Sequence, residues 1–430
     1  MPASPASILR TRRPVSQGEL EEVLRRHELF QAARPGGQRA SLAYRDLTGR
    51  NLADRNLADA DLTAAFLCDA NLASANLAGA NLFGCNLARA NMRGVSLARA
   101  DLRGACLREA DLTGANLFDA DLRDGRIALR RHDREPEATA EISNTELSGA
   151  NMANANLTQA RLDGSVALHT DFTDAMMRGC KLVRADLRNA RLNGANLEDA
   201  DLSGADLRGA SLRGAVLIHT ILAEAHSNDA DFSGALTHGN AGRDVAALPE
   251  SFVDLLVRHE RWVASDGREG APLDVSGFDL RSASGLTGRR LSALVGYHAI
   301  LYGMNLEGTA LQAAQLEGAD LRASHLGNSD LRGINLRQAR LNHADLRDCN
   351  FGPLLLADGR VISSALDGAD ARQADFRGAN LQRAVLRGAN LGGALLEGAR
   401  LDGADLTHAN LVGTFKSPSV SPLAIGTVPR

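Results

Sequence analysis

From position 42 to 127, every fifth residue of this chain is apolar: Leu42, Leu47, Leu52, Leu57 and Leu62, continuing through Met92 to Leu122 and Ile127. Two residues before each, from 60 to 120, stands a small or medium apolar residue, usually Ala, with Cys85 and Val95 as departures. Between the two slots sits mostly Asn or Asp, as in Asn71, Asn76, Asn81, Asn86 and Asp101. The unit is A-(D/N)-L-x-x. An α-helix turns about 100° per residue, so leucines five apart step by about 140° and form no stripe. A flat strand sends residues five apart to opposite faces in turn. A chain that turns one corner every five residues hides all of them. Four corners close a coil in roughly 20 residues, and coils stack at about 4.8 Å through parallel ladder hydrogen bonds. Small residues fill the Ala slot because four sides converge there. Asn and Asp suit corners because their side chains bond nearby backbone. Gly two after many leucines (Gly79, Gly84, Gly94) supplies positive φ. Burying each Leu contributes roughly 1.5 to 3 kcal/mol.

The repeated A-(D/N)-L-x-x unit resembles that of the pentapeptide repeat proteins. The resemblance implies a mostly β fold, their right-handed quadrilateral parallel β-helix, and covers most of the chain. It also brings an expectation about partners, because some members resemble B-form DNA in outline and charge and bind type II topoisomerases such as DNA gyrase.

The ladder is interrupted and resumes. A flexible N-terminal tail (1–15) is followed by a capping helix (16–34) and a β-helix over 40–127. Residues 128–141 are charged and lack the ladder, so they read as a side loop. The β-helix continues over 142–240, weakening at Ala167. A second capping helix (249–265) precedes a second β-helix over 273–411, which slips by one residue at Leu286 and carries a side loop at 352–363. A flexible C-terminal tail (412–430) contains Pro418, Pro422 and Pro429. The two helices match: Leu20, Val23, Leu24, His27 and Phe30 correspond to Phe252, Leu255, Leu256, His259 and Trp262, one amphipathic face each. Ser16 with Glu19 suggests a capping box, and Pro249 suits a first helical turn. Leu122-Arg-Asp-Gly-Arg-Ile127 also matches Leu356-Ala-Asp-Gly-Arg-Val361. The chain therefore reads as a tandem duplication. A solenoid end exposes apolar interior and unpaired strand edges, so the amphipathic helices are expected to cover them. The last coil near Leu411 has no such helix, and its cover is expected to be the tail or a second protomer, making a homodimer.

Composition narrows the function. Hydrophobic residues make up 44% of 430, yet aromatics are 3%, with a single Trp. A large enzyme normally fills its core and pockets with rings. GxGxxG, P-loop, GxSxG, HExxH and EF-hand motifs are lacking, so no catalytic, cofactor-binding or metal-binding residue is assigned and no cofactor is expected. Cys68, Cys85, Cys106, Cys180 and Cys349 form neither a disulfide framework nor a zinc motif. Cys85, Cys180 and Cys349 occupy the Ala slot and read as small buried hydrophobes. The histidines are scattered; His27 and His259 recur in the helices and are expected to hydrogen-bond across the helix and first-coil junction. Phe30 and Trp262 are expected to pack on the first coil. The regular Asp residues follow from architecture rather than from a glycoside-cleaving pair. No apolar run approaches the roughly 18 to 20 residues of a membrane span. Arg10, Arg12 and Arg13 lack an apolar h-region behind them, so a cytoplasmic location is expected.

The net charge is -4, which argues against direct nucleic-acid binding. DNA mimicry needs a strongly negative rod. Residues 41–127 hold 11 acidic and 10 basic residues, 142–240 hold 12 and 8, and 273–411 hold 15 and 14. Arg follows the Leu in many units, including Arg103, Arg188, Arg208 and Arg332. The most acidic segment is 186–206, with Asp186, Glu198, Asp199, Asp201 and Asp206. The outward positions are too mixed for an ice-binding or mineral-binding ladder. The leading expectation is a non-enzymatic scaffold that offers its faces and loops 128–141 and 352–363 to a protein partner of unknown identity. A gyrase-binding DNA mimic ranks second, disfavoured by charge, and a polysaccharide-acting enzyme third.

Overall fold

The computed structural model describes residues 14–128, 140–239 and 242–414, with the backbone alone for 126–128 and 140–143. The chain divides into two compact units, Met1–His238 and Gly239–Arg430. Each contains a right-handed quadrilateral β-helix. Bridges run in parallel from residue i to i+20, as in Asn51↔Asn71, Asn71↔Asn91 and Asn91↔Asp111. The leucines of the ladder and the Ala slots fill the interior; Leu47 through Leu122 and Leu147 through Leu212 have no exposed surface.

The residues Asn71–Ala75 show why the unit has this composition. Asn71 N donates to Arg50 O of the coil before (2.9 Å), and Leu72 N to Asn91 O of the coil after (2.7 Å). Ala73 N donates to the Asn71 side-chain Oδ1 (3.3 Å). Ser74 N reaches Arg93 O of the next coil (2.8 Å), and Ala75 N closes the turn on Leu72 O (3.0 Å). All five amides are satisfied, three between coils and two within the side. The Asn or Asp is therefore the bridged residue before the Leu, not the corner itself, and its side chain holds the corner that follows. The second corner residue takes positive φ whether or not it is Gly: Asp59 (59°) and Arg89 (57°) stand where Gly79 (67°) does.

In several Ala slots that hold a hydroxyl or thiol, that group donates to a carbonyl of the coil before, although the Ser165 hydroxyl is buried without a partner. Cys85 Sγ donates to Leu62 O (2.8 Å), Thr170 Oγ1 to Leu147 O (2.8 Å), and Cys349 Sγ to Leu326 O (3.0 Å). These two cysteines are thus hydrogen-bond donors as well as small apolar fillers.

Each unit begins with a helix. Helix α1 spans Gln17–Gln31 and α2 spans Phe252–Ala264. Ser16 and Ser251 are the N-caps, accepting from Glu19 N (3.2 Å) and Asp254 N (3.3 Å). The Glu19 carboxylate also meets Arg45 of the coil (2.5 Å). Pro249 lies ahead of the cap, outside the helical turn where it was expected. Leu20 and Leu24 of α1, and Leu255 and Leu256 of α2, are buried against the first coils.

The interruptions differ from the sequence reading. The side loop at 128–141 begins and ends as an antiparallel strand pair, Gly125–Ala128 with Ala140–Ser143; positions 129–139 lie outside the described residues. The loop at 352–363 is a hairpin, Leu354–Leu355 with Val361–Ile362. Both leave the same place in the repeat. Thr145 Oγ1 accepts from Gly104 N (2.9 Å) and donates to Arg123 O (2.7 Å), with Leu102 O farther off at 3.3 Å. Ser364 Oγ accepts from Gly333 N (3.0 Å) and donates to Leu331 O (2.9 Å). The matching Asp-Gly-Arg segments are not equivalent, however. Gly125 starts an outgoing strand, while Gly359 lies at the hairpin turn. The ladder rejoins in phase across both, as Cys106↔Glu146 and Asn335↔Ala365. The one-residue slip is real: Asp274 bridges Val295 and Asp279 bridges Ile300. The end of the proposed N-terminal tail is structured, since Pro14 bridges Asp46 and Val15 is fully buried. The remainder, 1–13, and positions 415–430 of the C-terminal tail lie outside the described residues.

Candidate interaction surface

Among the described residues, the Leu and Ala slots fill the interior of the coils. An enclosed apolar space beneath α2, lined by Phe252, Leu256 and neighbouring leucines, measures about 10 Å³, no more than a single water requires. Among the described residues no group of three or more His, Cys, Asp or Glu is placed to hold a metal ion. Burial pushes the Cys85 and Cys349 thiols up to about 12 and raises Cys180 as well, so all three stay protonated and unreactive. Cys68 and Cys106 are half-buried and free. His27 and His259 lie fully buried at the helix and first-coil junctions, where the sequence placed them. The rings of Phe30 and Trp262 find partners within their own helices. They stack on His27 (centroids 6.0 Å) and His259 (5.8 Å) of their own helices.

The outer faces carry two kinds of ladder, set by the residue before the Leu. Where it is Asn, amides stack from coil to coil: Asn71 Nδ2 donates to Asn51 Oδ1 (3.0 Å) and Asn91 Nδ2 to Asn71 Oδ1 (2.9 Å). Where it is Asp followed two residues later by Arg, the pair closes into a two-point fork. Arg188 meets Asp186 at 2.8 and 2.7 Å, and Arg208 meets Asp206 at 2.8 and 2.5 Å. Asp101–Arg103, Asp330–Arg332, Asp345–Arg347 and Asp375–Arg377 repeat the arrangement. Residues two apart on an extended side point the same way, which makes this fork a local consequence of D-L-R. The Arg347 hydrogen bond holds the Asp345 carboxyl below the usual range, and Arg208 does the same for Asp206. The most buried fork is Asp320–Arg322 (2.6 Å), with side chains 9% and 4% exposed and Arg340 3.8 Å from the carboxylate.

These pairs settle the charge of the 186–206 segment. Besides the two forks, Glu198 and Asp199 face Arg178 (3.5 and 3.4 Å), and Asp201 faces Lys181 (3.6 Å). Each of its five carboxylates has a cation beside it.

Apolar groups do reach the surface. On the 354–362 hairpin, Leu354 and Ile362 turn toward the solenoid over Gly333, where an added Cβ would lie 2.9 and 3.3 Å from them. The cross-strand pair Leu355 and Val361 stands on the opposite side, 70% and 57% exposed. On α2, Val253 and Val257 are 53% and 38% exposed. Among the described residues no helix is long and apolar enough to cross a membrane.

The model of the family described as pentapeptide repeats matches residues 51–87, 85–124, 140–179, 170–209, 180–217, 210–235, 297–328, 314–352, 362–393 and 384–415. Both capping helices fall outside these stretches. No curated protein matches the chain. Similar solved structures include HetL from the cyanobacterium Nostoc sp. strain PCC 7120, a pentapeptide repeat protein involved in regulating heterocyst differentiation. It is 24% identical over 77% of this chain and 92% of its own, with a TM-score of 0.26. Rfr23 from the cyanobacterium Cyanothece 51142 is 28% identical over 32% of this chain and 90% of its own, with a TM-score of 0.24. A trypsin-treated QnrB1 variant, a plasmid-mediated fluoroquinolone resistance protein, is 18% identical over 46% of this chain and 92% of its own, with a TM-score of 0.22. With well over half of its residues matched, the chain belongs to the pentapeptide repeat family.

Proposed function

We propose that the protein is a non-enzymatic cytoplasmic scaffold that presents its β-helix faces and hairpins to a protein partner. The exposed Leu355–Val361 pair carries this reading. A hairpin braced on a rigid coil holds apolar side chains out in fixed positions, at little ordering cost to a partner that covers them. The filled interior supports a role through the surface rather than through catalysis. The test is a quantitative pull-down from native lysate, with wild type beside the L355S/V361S double variant. The reading expects at least one partner to be lost with the pair. Equal retention of every partner by both proteins counts against it.

The gyrase-binding alternative rests on the shared fold and is ranked lower because the carboxylates of the most acidic segment, 186–206, are partnered. Paired carboxylates present a weaker field than the free ones that phosphate mimicry needs. Inhibition of gyrase supercoiling at about micromolar protein or below, where a specific complex would form, reverses the ranking. A polysaccharide-acting enzyme remains third, and turnover of any polysaccharide would raise it. A homodimer through the last coil is supported by Val412, 78% exposed, beside the half-buried Leu406 and Leu411. Light scattering that shows a monomer at all concentrations removes that part.

A further inference from the structure

Both helices are fastened to their first coil by the same atom. His27, fully buried, accepts a hydrogen bond at Nδ1 from Ala40 N (3.1 Å). Ala40 immediately precedes Ser41, the first bridged residue after the helix, and its carbonyl accepts from Asp61 N of the next coil (3.0 Å). In the second unit, His259 Nδ1 accepts from Leu273 N (3.0 Å). Leu273 immediately precedes bridged Asp274, and its carbonyl accepts from Val295 N (3.0 Å). The returning chain passes so close to each helix that a Cβ on Gly37 would strike the Phe30 backbone, and one on Gly270 the Arg258 carbonyl. The junction is therefore tight.

An imidazole nitrogen that accepts from an amide carries no proton. Each ring is thus neutral, with its hydrogen on Nε2. Protonation puts a second hydrogen on Nδ1, directly against the amide N–H, and leaves two donors facing each other in a buried site. Nε2 makes no hydrogen bond of good geometry in either ring, and what the neighbouring backbone offers the charged form does not outweigh burial. Around His27, burial dominates and lowers the pKa. The Ala58 backbone, Asp59 and Glu28 oppose this, and Arg39 reinforces it. Around His259 burial again dominates, opposed by the Ser292 backbone and Glu260.

We propose that His27 and His259 are acid-sensitive latches, whose protonation frees α1 and α2 and uncovers the apolar end of each first coil while the coils themselves stay wound. The sign follows from the lowered values. Latch stability is complete above the ordinary histidine value of about 6.5 and is lost as pH falls below it. The two latches differ in support. Helix α1 is also tied by Arg45–Glu19, Arg55–Glu21 and Arg55–Glu28, whereas α2 has Arg289–Glu260. Helix α2 therefore opens at the higher pH.

Trp262, the only Trp in the chain, stacks on His259 and reports directly. The full-length protein is titrated from about pH 8 to about pH 4.5, a range that spans the histidine step, following Trp emission and hydrogen exchange of residues 252–264. The expected result is a reversible red shift below about pH 6.5, with exchange in 252–264 accelerated about tenfold or more beyond its intrinsic pH dependence. Exchange in coils 306–346 should stay protected. In His259→Asn the side-chain oxygen can accept from Leu273 N without titrating, and both changes should vanish. A wild type whose exchange in 252–264 does not change down to about pH 4.5 overturns the proposal, even if emission alone responds. So does a transition that persists unchanged in His259→Asn. Should that variant fold poorly at pH 7.5, the wild-type exchange profile decides alone.

Discussion

Helices α1 and α2 hold the same place in their units and share everything that faces inward. Each has a Ser N-cap, an apolar stripe, a buried histidine gripping the first coil, and an aromatic ring stacked on that histidine. Outward they diverge. Glu21 and Arg25 of α1 correspond in sequence to Val253 and Val257 of α2. Glu21 pairs with Arg55 of the coil and Arg25 with Glu22, whereas the two valines stand exposed. What stayed the same is what closing a coil demands. What changed marks the outside of α2 as answering to something other than closure.

Removing an inward leucine should break the likeness most visibly. Leu24→Ala and Leu256→Ala should each cost about 2 to 5 kcal/mol in denaturant unfolding, and losses of similar size would confirm the two as equivalent covers. Losing a cap should cost less, about 1 kcal/mol for Ser16→Ala or Ser251→Ala, again alike in both units and readable as a shift in thermal midpoint. Arg55→Ala should sharpen the contrast. The salt-bridging side chains are a quarter to a half exposed, so the cost should be about 0.2 to 1 kcal/mol and should fade in high salt. The smallest effect belongs to the double change Val253→Ser with Val257→Ser, which should leave stability within about 0.5 kcal/mol. A loss approaching that of Leu256→Ala would mean that this face is covered after all.

Much of this was legible before any coordinates. A period of five admits few structures, so the coil, its leucine interior and the end-covering helices followed from spacing alone. The histidine contacts were also expected, because both residues recur at one helical position ahead of the first Leu unit. Other features needed atoms. The D-L-R fork was visible as neighbouring charges, but not as a two-point bond that ties Asp186 and Asp206 to their own arginines. Its signal was present, since strand geometry brings i and i+2 together. The hairpins were taken for loops because their short strands pair with each other and not with the ladder. The Asp-Gly-Arg match between 124–126 and 358–360 misled because that tripeptide suits either a strand start or a tight turn. Positions such as Thr145 and Ser364, which join chain ends across an insertion, carry no motif at all.

The complete amide accounting within one five-residue side has a consequence for how such a chain can change length. No side depends on anything beyond its immediate neighbours above and below. Excising one full circuit of twenty residues would return each remaining group to surroundings of the same kind. Excising a single side would also spare the interior, yet it would swing every later face through a quarter revolution and carry any attached arm to a new compass bearing. Growth by whole circuits thus preserves what the exterior displays, and growth by single sides re-aims it.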